Sequence, residues 1–201
     1  MLSSLGSIAL SDSLPVTDNG LDAVRKTLKL MAALIRKYRT DLTTLNTATA
    51  VLRAGGITDM RTQKRTAIAT LQGWVRDHIA YFYDPRETEL VRTPPETLLR
   101  GVGDCDDKTV LLLSMLESVG FETELLAVGG LGQGWDPGCA PQVPGQPPAY
   151  SHVLGAVRFG PLRGGNLPPF LDGWLMLETI VAGKGPGWRP PGIRVIMPWH
   201  I

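Results

Sequence analysis

The segment that most constrains this chain is Gly101-Val102-Gly103-Asp104-Cys105-Asp106-Asp107-Lys108, which runs directly into Thr109-Val110-Leu111-Leu112-Leu113-Ser114-Met115-Leu116. A helix built from the second stretch is apolar on almost every side, so it has to lie at the centre of a core. Asp104 is a good N-cap, and Asp107 stands where a capping-box acid would stand. Gly101 and Gly103 form a turn whose backbone angles a side chain would oppose. Cys105 therefore falls at the first helical position, where unpaired N–H groups and the helix dipole favour an anion. A thiol in that place is set up to ionise, as reactive cysteines are. Asp104, Asp106 and Asp107 act the other way, because neighbouring negative charge raises a thiol pKa. Capping and solvent are expected to absorb them.

The remaining composition sets outer bounds. At 201 residues the chain suits one domain with a real core. A formal net charge of +1 provides no basic field for nucleic acid. Cys105 and Cys139 are too few for a disulfide framework, which makes a reducing compartment the default. Met1 to Val16 lacks the basic start of a signal peptide, and no apolar run reaches membrane-spanning length.

Along the chain, residues 1–20 read as an extended arm. Val24, Leu28, Met31, Leu34 and Ile35 then recur at helical spacing from Leu21 to about Arg39. This basic amphipathic helix is expected to pack with a solvated face rather than to bind a membrane. A second helix runs from Thr43 to Arg53 and ends at Gly55-Gly56. A third, about Thr62 to Tyr83, carries Ile68, Leu71, Val75, Ile79 and Phe82 on one stripe until Asp84-Pro85 stops it. Thr93-Pro94-Pro95-Glu96 resembles a helix start. After the central helix ends at Gly120, Phe121–Val128, Tyr150–Phe159 and Gly173–Val181 read as strands. Residues 129–149 form a long Gly/Pro-rich loop, and the Gly/Pro/Trp-rich segment from Ala182 reads as an extended peptide lying on a surface.

Gly-Asp-Cys-Asp-Asp-Lys opening a Leu-rich helix resembles the nucleophile motif of transglutaminase-like proteins, a branch of the papain-like cysteine enzymes. Trp74 to Tyr81, Asp84-Pro85 and Thr93-Pro94 are similar to the phage- and prophage-encoded subgroup. The resemblance covers roughly residues 65 to 182. It implies an α+β, papain-like core with the nucleophile at the N-terminus of a central buried helix, packed on a small antiparallel sheet and preceded by extra helices. It also implies a Cys–His–acid triad in that chain order, acting on a protein or peptide without a cofactor.

Among the three histidines, His152 alone begins a strand after the cysteine helix. His78 reads as a structural helix histidine, and His200 lies next to the last residue. The acid is Glu178 or Asp172. Directly opposed residues of an antiparallel pair sum to twice the loop centre. His152 with Glu178 centres the loop at residue 165, within Arg163-Gly164-Gly165-Asn166, which is turn chemistry. His152 with Asp172 centres it at Leu162 and puts Pro168 and Pro169 in the return strand, a poor arrangement. Glu178 is therefore the expected acid and Asp172 the alternative. The family resemblance agrees, with Trp174 and Leu177-Glu178-Thr179 in place of its usual Leu-Asp-Pro-Thr; glutamate for aspartate is the departure.

In the implied mechanism the backbone N–H of Cys105 is one oxyanion donor, and Gln72, Trp74 and Tyr81 are candidates for the second, with Gln72 taken first. Cys139 reads as an unpaired loop cysteine. No metal is expected, because Asp104, Cys105 and Asp106 lack the paired Cys/His spacings of zinc sites. The expected organisation is an N-terminal arm with helices over 1–60, a transglutaminase-like core over 61–182 and an extended tail over 183–201. The first function expected is a cysteine peptidase, amidase or acyltransferase, in a host cytoplasm or associated with a virion. The alternative is a virion or tail-assembly protein that keeps the fold with little catalysis and docks to phage structural proteins through its N-terminal helix and C-terminal tail.

Overall fold

The structure is a computed structural model that describes residues 12–15, 21–84, 88–130, 150–160 and 172–201. In chain order its elements are β1 (Asp12–Pro15), α1 (Leu21–Tyr38), α2 (Leu42–Ala54), α3 (Lys64–His78), β2 (Ala80–Tyr81), β3 (Thr88–Val91) and α4 (Pro94–Arg100). There follow β4 (Val102–Gly103), α5 (Cys105–Ser118), β5 (Thr123–Gly129), β6 (Tyr150–Arg158), β7 (Trp174–Leu177) and β8 (Val195–His200).

As its composition requires, α5 is central. Val110, Leu111, Leu112, Leu113, Met115 and Leu116 are all fully buried, and α1 to α4 pack around the helix while β5 and β6 close the remaining side. The helix spacing of α1 is realised: Leu28, Met31, Ala32, Leu34, Ile35 and Tyr38 are buried, and they share one core with α2, α3 and α5. Asp41 caps α2, its carboxylate accepting from the Thr44 N–H at 2.9 Å. Thr93 caps α4, which has proline in its first turn and closes on Gly101 at φ +66°.

The sheet is four-stranded and antiparallel in the order β7-β6-β5-β8. The sheet also carries a second apolar cluster of Leu126, Val128, Leu154, Ala156, Trp174 and Met176, with Ile193 and Ile196 against it. Among the described residues there are also two small ladders, β1 with β3, antiparallel, and β2 with β4, parallel. This is an α+β, transglutaminase-like architecture, as expected.

Some local expectations change. The third helix stops at His78, not Tyr83, because Ala80 and Tyr81 leave it to pair with Val102 and Gly103. Phe82 is consequently exposed rather than part of the buried stripe. The strand expected over Gly173–Val181 is confined to Trp174–Leu177. The extended C-terminal segment folds onto the protein's own sheet, where β8 pairs with β5 from Glu124↔His200 to Gly129↔Val195. Pro198 is tolerated there because β8 is an edge strand. The expected 129–149 loop lies almost wholly outside the described residues, as does Cys139.

Candidate active site

The turn before Cys105 is held by the chain that leaves α3. Ala80 N–H donates to the Gly101 carbonyl at 2.8 Å and Phe82 N–H to that of Gly103 at 3.1 Å. Gly101 needs its left-handed φ. Gly103 is glycine for a different reason: a Cβ there would lie 2.7 Å from the Cβ of Asp107.

The expected capping box forms in full. Asp104 Oδ1 accepts from the N–H groups of Asp106 and Asp107 at 3.0 and 3.2 Å, and Asp107 Oδ2 accepts from the Asp104 N–H at 3.4 Å. The three aspartates are buried rather than solvated. Asp107 is compensated by Arg92, whose backbone N–H donates to Oδ1 at 2.6 Å and whose guanidinium pairs with Oδ2. Burial pushes the Asp107 carboxyl up while Arg92 pulls it back, and the same contact raises Arg92 against its own burial. A bidentate grip of this kind favours the charged pair. Arg92 also reaches Asp84 at 3.3 Å. Asp106 is the aspartate that touches the thiol: Cys105 Sγ–H donates to its Oδ1 at 3.4 Å, with the cysteine half-buried.

Across the sheet, His152 sits near the start of β6, opposite Val128 and beside a bulge. Its Nε2 lies 3.0 Å from Glu178 Oε2, both side chains being fully buried. The other carboxylate oxygen of Glu178 accepts from the Ile180 N–H at 2.9 Å. His152 and Glu178 are thus neighbours, although not by the expected register. The observed pairing is Gly155↔Leu177 and Val157↔Leu175, and its continuation would set Glu178 opposite Leu154. The hairpin is displaced by two residues, which keeps every side chain on its face and makes His152–Glu178 a diagonal pair. The longer glutamate side chain covers that diagonal. Asp172 is exposed in the turn at the other end of β7.

The two halves meet through Thr109. This residue lies one helical turn after Cys105, and its hydroxyl donates to the carbonyl of Val153, next to His152, at 3.4 Å. Gln72 is buried on α3 and gives its amide N–H to the Glu178 backbone carbonyl at 2.8 Å. Lys108, buried one turn along α5, donates to the carbonyls of Ile79 at 2.6 Å and Arg76 at 3.2 Å. Burial pushes its amine down to about 8, against the pull of Asp77 and Glu178. His78 instead stacks on Trp74 at 4.8 Å, and His200 pairs with Glu124 across β5 and β8.

Sequence reasoning missed Lys108 and Arg92 as parts of this region. A lysine inside a helix otherwise apolar on every side was a usable signal, since such a residue is buried only with partners. For Arg92 no comparable pattern existed.

A thiol at the N-terminus of a buried helix, packed against an antiparallel sheet that carries a buried imidazole–carboxylate pair, is an arrangement that papain-like cysteine hydrolases and transferases also have. Residues 51–135 match the family model of the transglutaminase-like superfamily. The match begins in α2, includes Cys105 and ends before His152 and Glu178. No curated protein matches the chain.

Proposed function

We propose that the protein is a transglutaminase-like cysteine peptidase, amidase or acyltransferase that works through a Cys105–His152–Glu178 triad. The observation that carries this reading is the 3.0 Å contact between His152 Nε2 and Glu178 Oε2, both fully buried. A carboxylate on Nε2 fixes the imidazole so that Nδ1 is the nitrogen available to the thiol. His152 takes the thiol proton, and the thiolate of Cys105 attacks a substrate carbonyl. The tetrahedral oxyanion is met by the Cys105 N–H at the start of α5. The C–N bond then breaks, the amine leaves with the proton held by His152, and a thioester remains. Water attacking the thioester releases a carboxylic acid and restores the thiol; an amine in its place gives a new amide. In this reading Gln72 holds the Glu178 segment in position rather than meeting the oxyanion, because its amide is engaged with the Glu178 carbonyl.

The test is site-resolved labelling with iodoacetamide at pH 7. Cys105 is expected to react at least tenfold faster than Cys139, and His152→Ala is expected to remove the difference. Equal, slow labelling of both cysteines sinks the enzymatic reading.

One observation favours a second reading. The Asp106 carboxylate accepts from the Cys105 thiol, which stabilises the neutral, unreactive form. A component of a phage particle that keeps the fold for assembly would tolerate that arrangement, and its partners would be phage structural proteins. Such a protein assembles equally well as Cys105→Ala, whereas a processing enzyme loses function.

A further inference from the structure

Lys108 is 2% exposed, directly ahead of the apolar run Val110–Leu113 of the same buried helix. A buried ammonium must be paired or hydrogen-bonded, and this one is placed on the carbonyls of Arg76, in the last turn of α3, and of Ile79, the residue that caps it. Those carbonyls have no partner within their own helix and lie at the negative end of its dipole. The same helix also grips the chain that carries the acid. Gln72 donates to the Glu178 carbonyl at 2.8 Å, Arg76 to that of Lys184 at 2.8 Å and Arg65 to that of Pro186 at 3.1 Å. α3 is therefore a common rail, with the nucleophile helix fastened to it by Lys108 and the Glu178 segment by Gln72, Arg76 and Arg65.

The charges bearing on the ammonium come from both sides of that rail. Asp77 of α3 and Glu178 after β7 favour it, and Arg76 of α3 opposes it. On α5 itself, Asp104 is engaged in the cap and Asp107 in the cap and the Arg92 pair. His152 faces Glu178 from β6.

We infer that Lys108 is a positioning residue whose ammonium, held on the carbonyls of Arg76 and Ile79, fixes α5 against α3 beside the Glu178 segment, so that the thiol–imidazole pair is assembled only while this amine holds its proton. The inference rests on the triad reading and adds the control of that site. With the amine lowered to about 8 by burial, the proton is present at neutral pH and lost as pH rises past that value. An arginine in its place would stay charged throughout.

The experiment measures the Cys105 alkylation rate between pH 6.5 and pH 9.5 by peptide mass spectrometry. In the wild-type protein the rate is expected to break downward near pH 8. Lys108→Met is expected to lower the pH 7 rate at least tenfold and to abolish the break, and Lys108→Arg to retain the rate beyond it. An NMR titration of ¹³C-labelled lysine in the wild-type protein, which needs neither activity nor a Lys108 variant, provides the second arm. Lys108 is expected to titrate well below the other lysines, and Glu178→Gln is expected to move it lower still, because coupling between two sites is reciprocal. A Lys108→Met variant with the wild-type rate and profile overturns the inference, as does a Lys108 titration unmoved by Glu178→Gln. Failure of the triad reading is distinguishable: fast labelling of Cys105 is then absent, or insensitive to His152→Ala, in the wild-type background.

Discussion

The proton on Cys105 is contested by groups within one helical turn. The α5 N-terminus favours the thiolate, while Asp106 accepts the thiol proton at 3.4 Å and so favours the neutral form. Asp104 and Asp107 weigh less in this contest, since their carboxylates are engaged by backbone N–H groups and, for Asp107, by Arg92. Asp106→Asn is therefore expected to raise the Cys105 alkylation rate at pH 7 severalfold; a slower rate would mean that Asp106 assists ionisation. At this scale the sequence was informative wherever a residue sat in a local pattern. Cys105, Asp104 and Asp107 follow from the cap motif, His152 from its place at the start of a strand after α5, and Glu178 from hairpin arithmetic that holds only to within two residues. The roles of Gln72 and Lys108 did not, because their partners lie 106 and 29 residues away in the chain and no local rule reports such contacts.

Between elements, the decisive join is α5 on the β6–β7 hairpin. Gly155 lets them approach: a Cβ there would lie 2.6 Å from Leu113 Cδ2 and 3.2 Å from Cγ, and Leu113 is fully buried. Gly155→Ala is expected to cost about 1–3 kcal/mol by overpacking, measured as a fall in urea midpoint at constant m-value. The hairpin register was legible only to within two residues, since its loop fixes the turn and alternation fixes the face, but neither fixes the offset. The end of α3 was not legible either. Its apolar stripe continues through Ile79, whereas the chain there is drawn off by the Val102–Gly103 ladder and by the ammonium of Lys108. β8 escaped for a related reason: Val195-Ile196-Met197-Pro198-Trp199 contains a proline and does not alternate, so only the waiting edge of β5 makes it a strand.

For the whole molecule, the buried lysine sets stability and reactivity against each other. Below pH 8 the folded and unfolded chains both carry the Lys108 proton, and the folded one bears the full cost of burying it. Between about 8 and the ordinary value of 10.5 the folded amine has released its proton while the unfolded chain still binds one. Stability is thus expected to rise with pH across that window by roughly 3 kcal/mol at most, in the range where the site loses its charge. Urea melts at pH 7 and pH 10 check this, and Lys108→Met is expected to flatten the difference. The helical half of the chain, where the family match lies, was legible as a whole because α5 is so strongly patterned. The sheet half supplies the imidazole and the carboxylate, and its consequence appears during synthesis. Cys105 leaves the ribosome ahead of His152 and Glu178, and at about 5–20 residues per second several seconds separate the thiol from its acid. On the proposed reading, a nascent chain carries the Cys105 thiol through that interval without His152 and Glu178, and the site can assemble only once β7 and the residue that follows it have emerged.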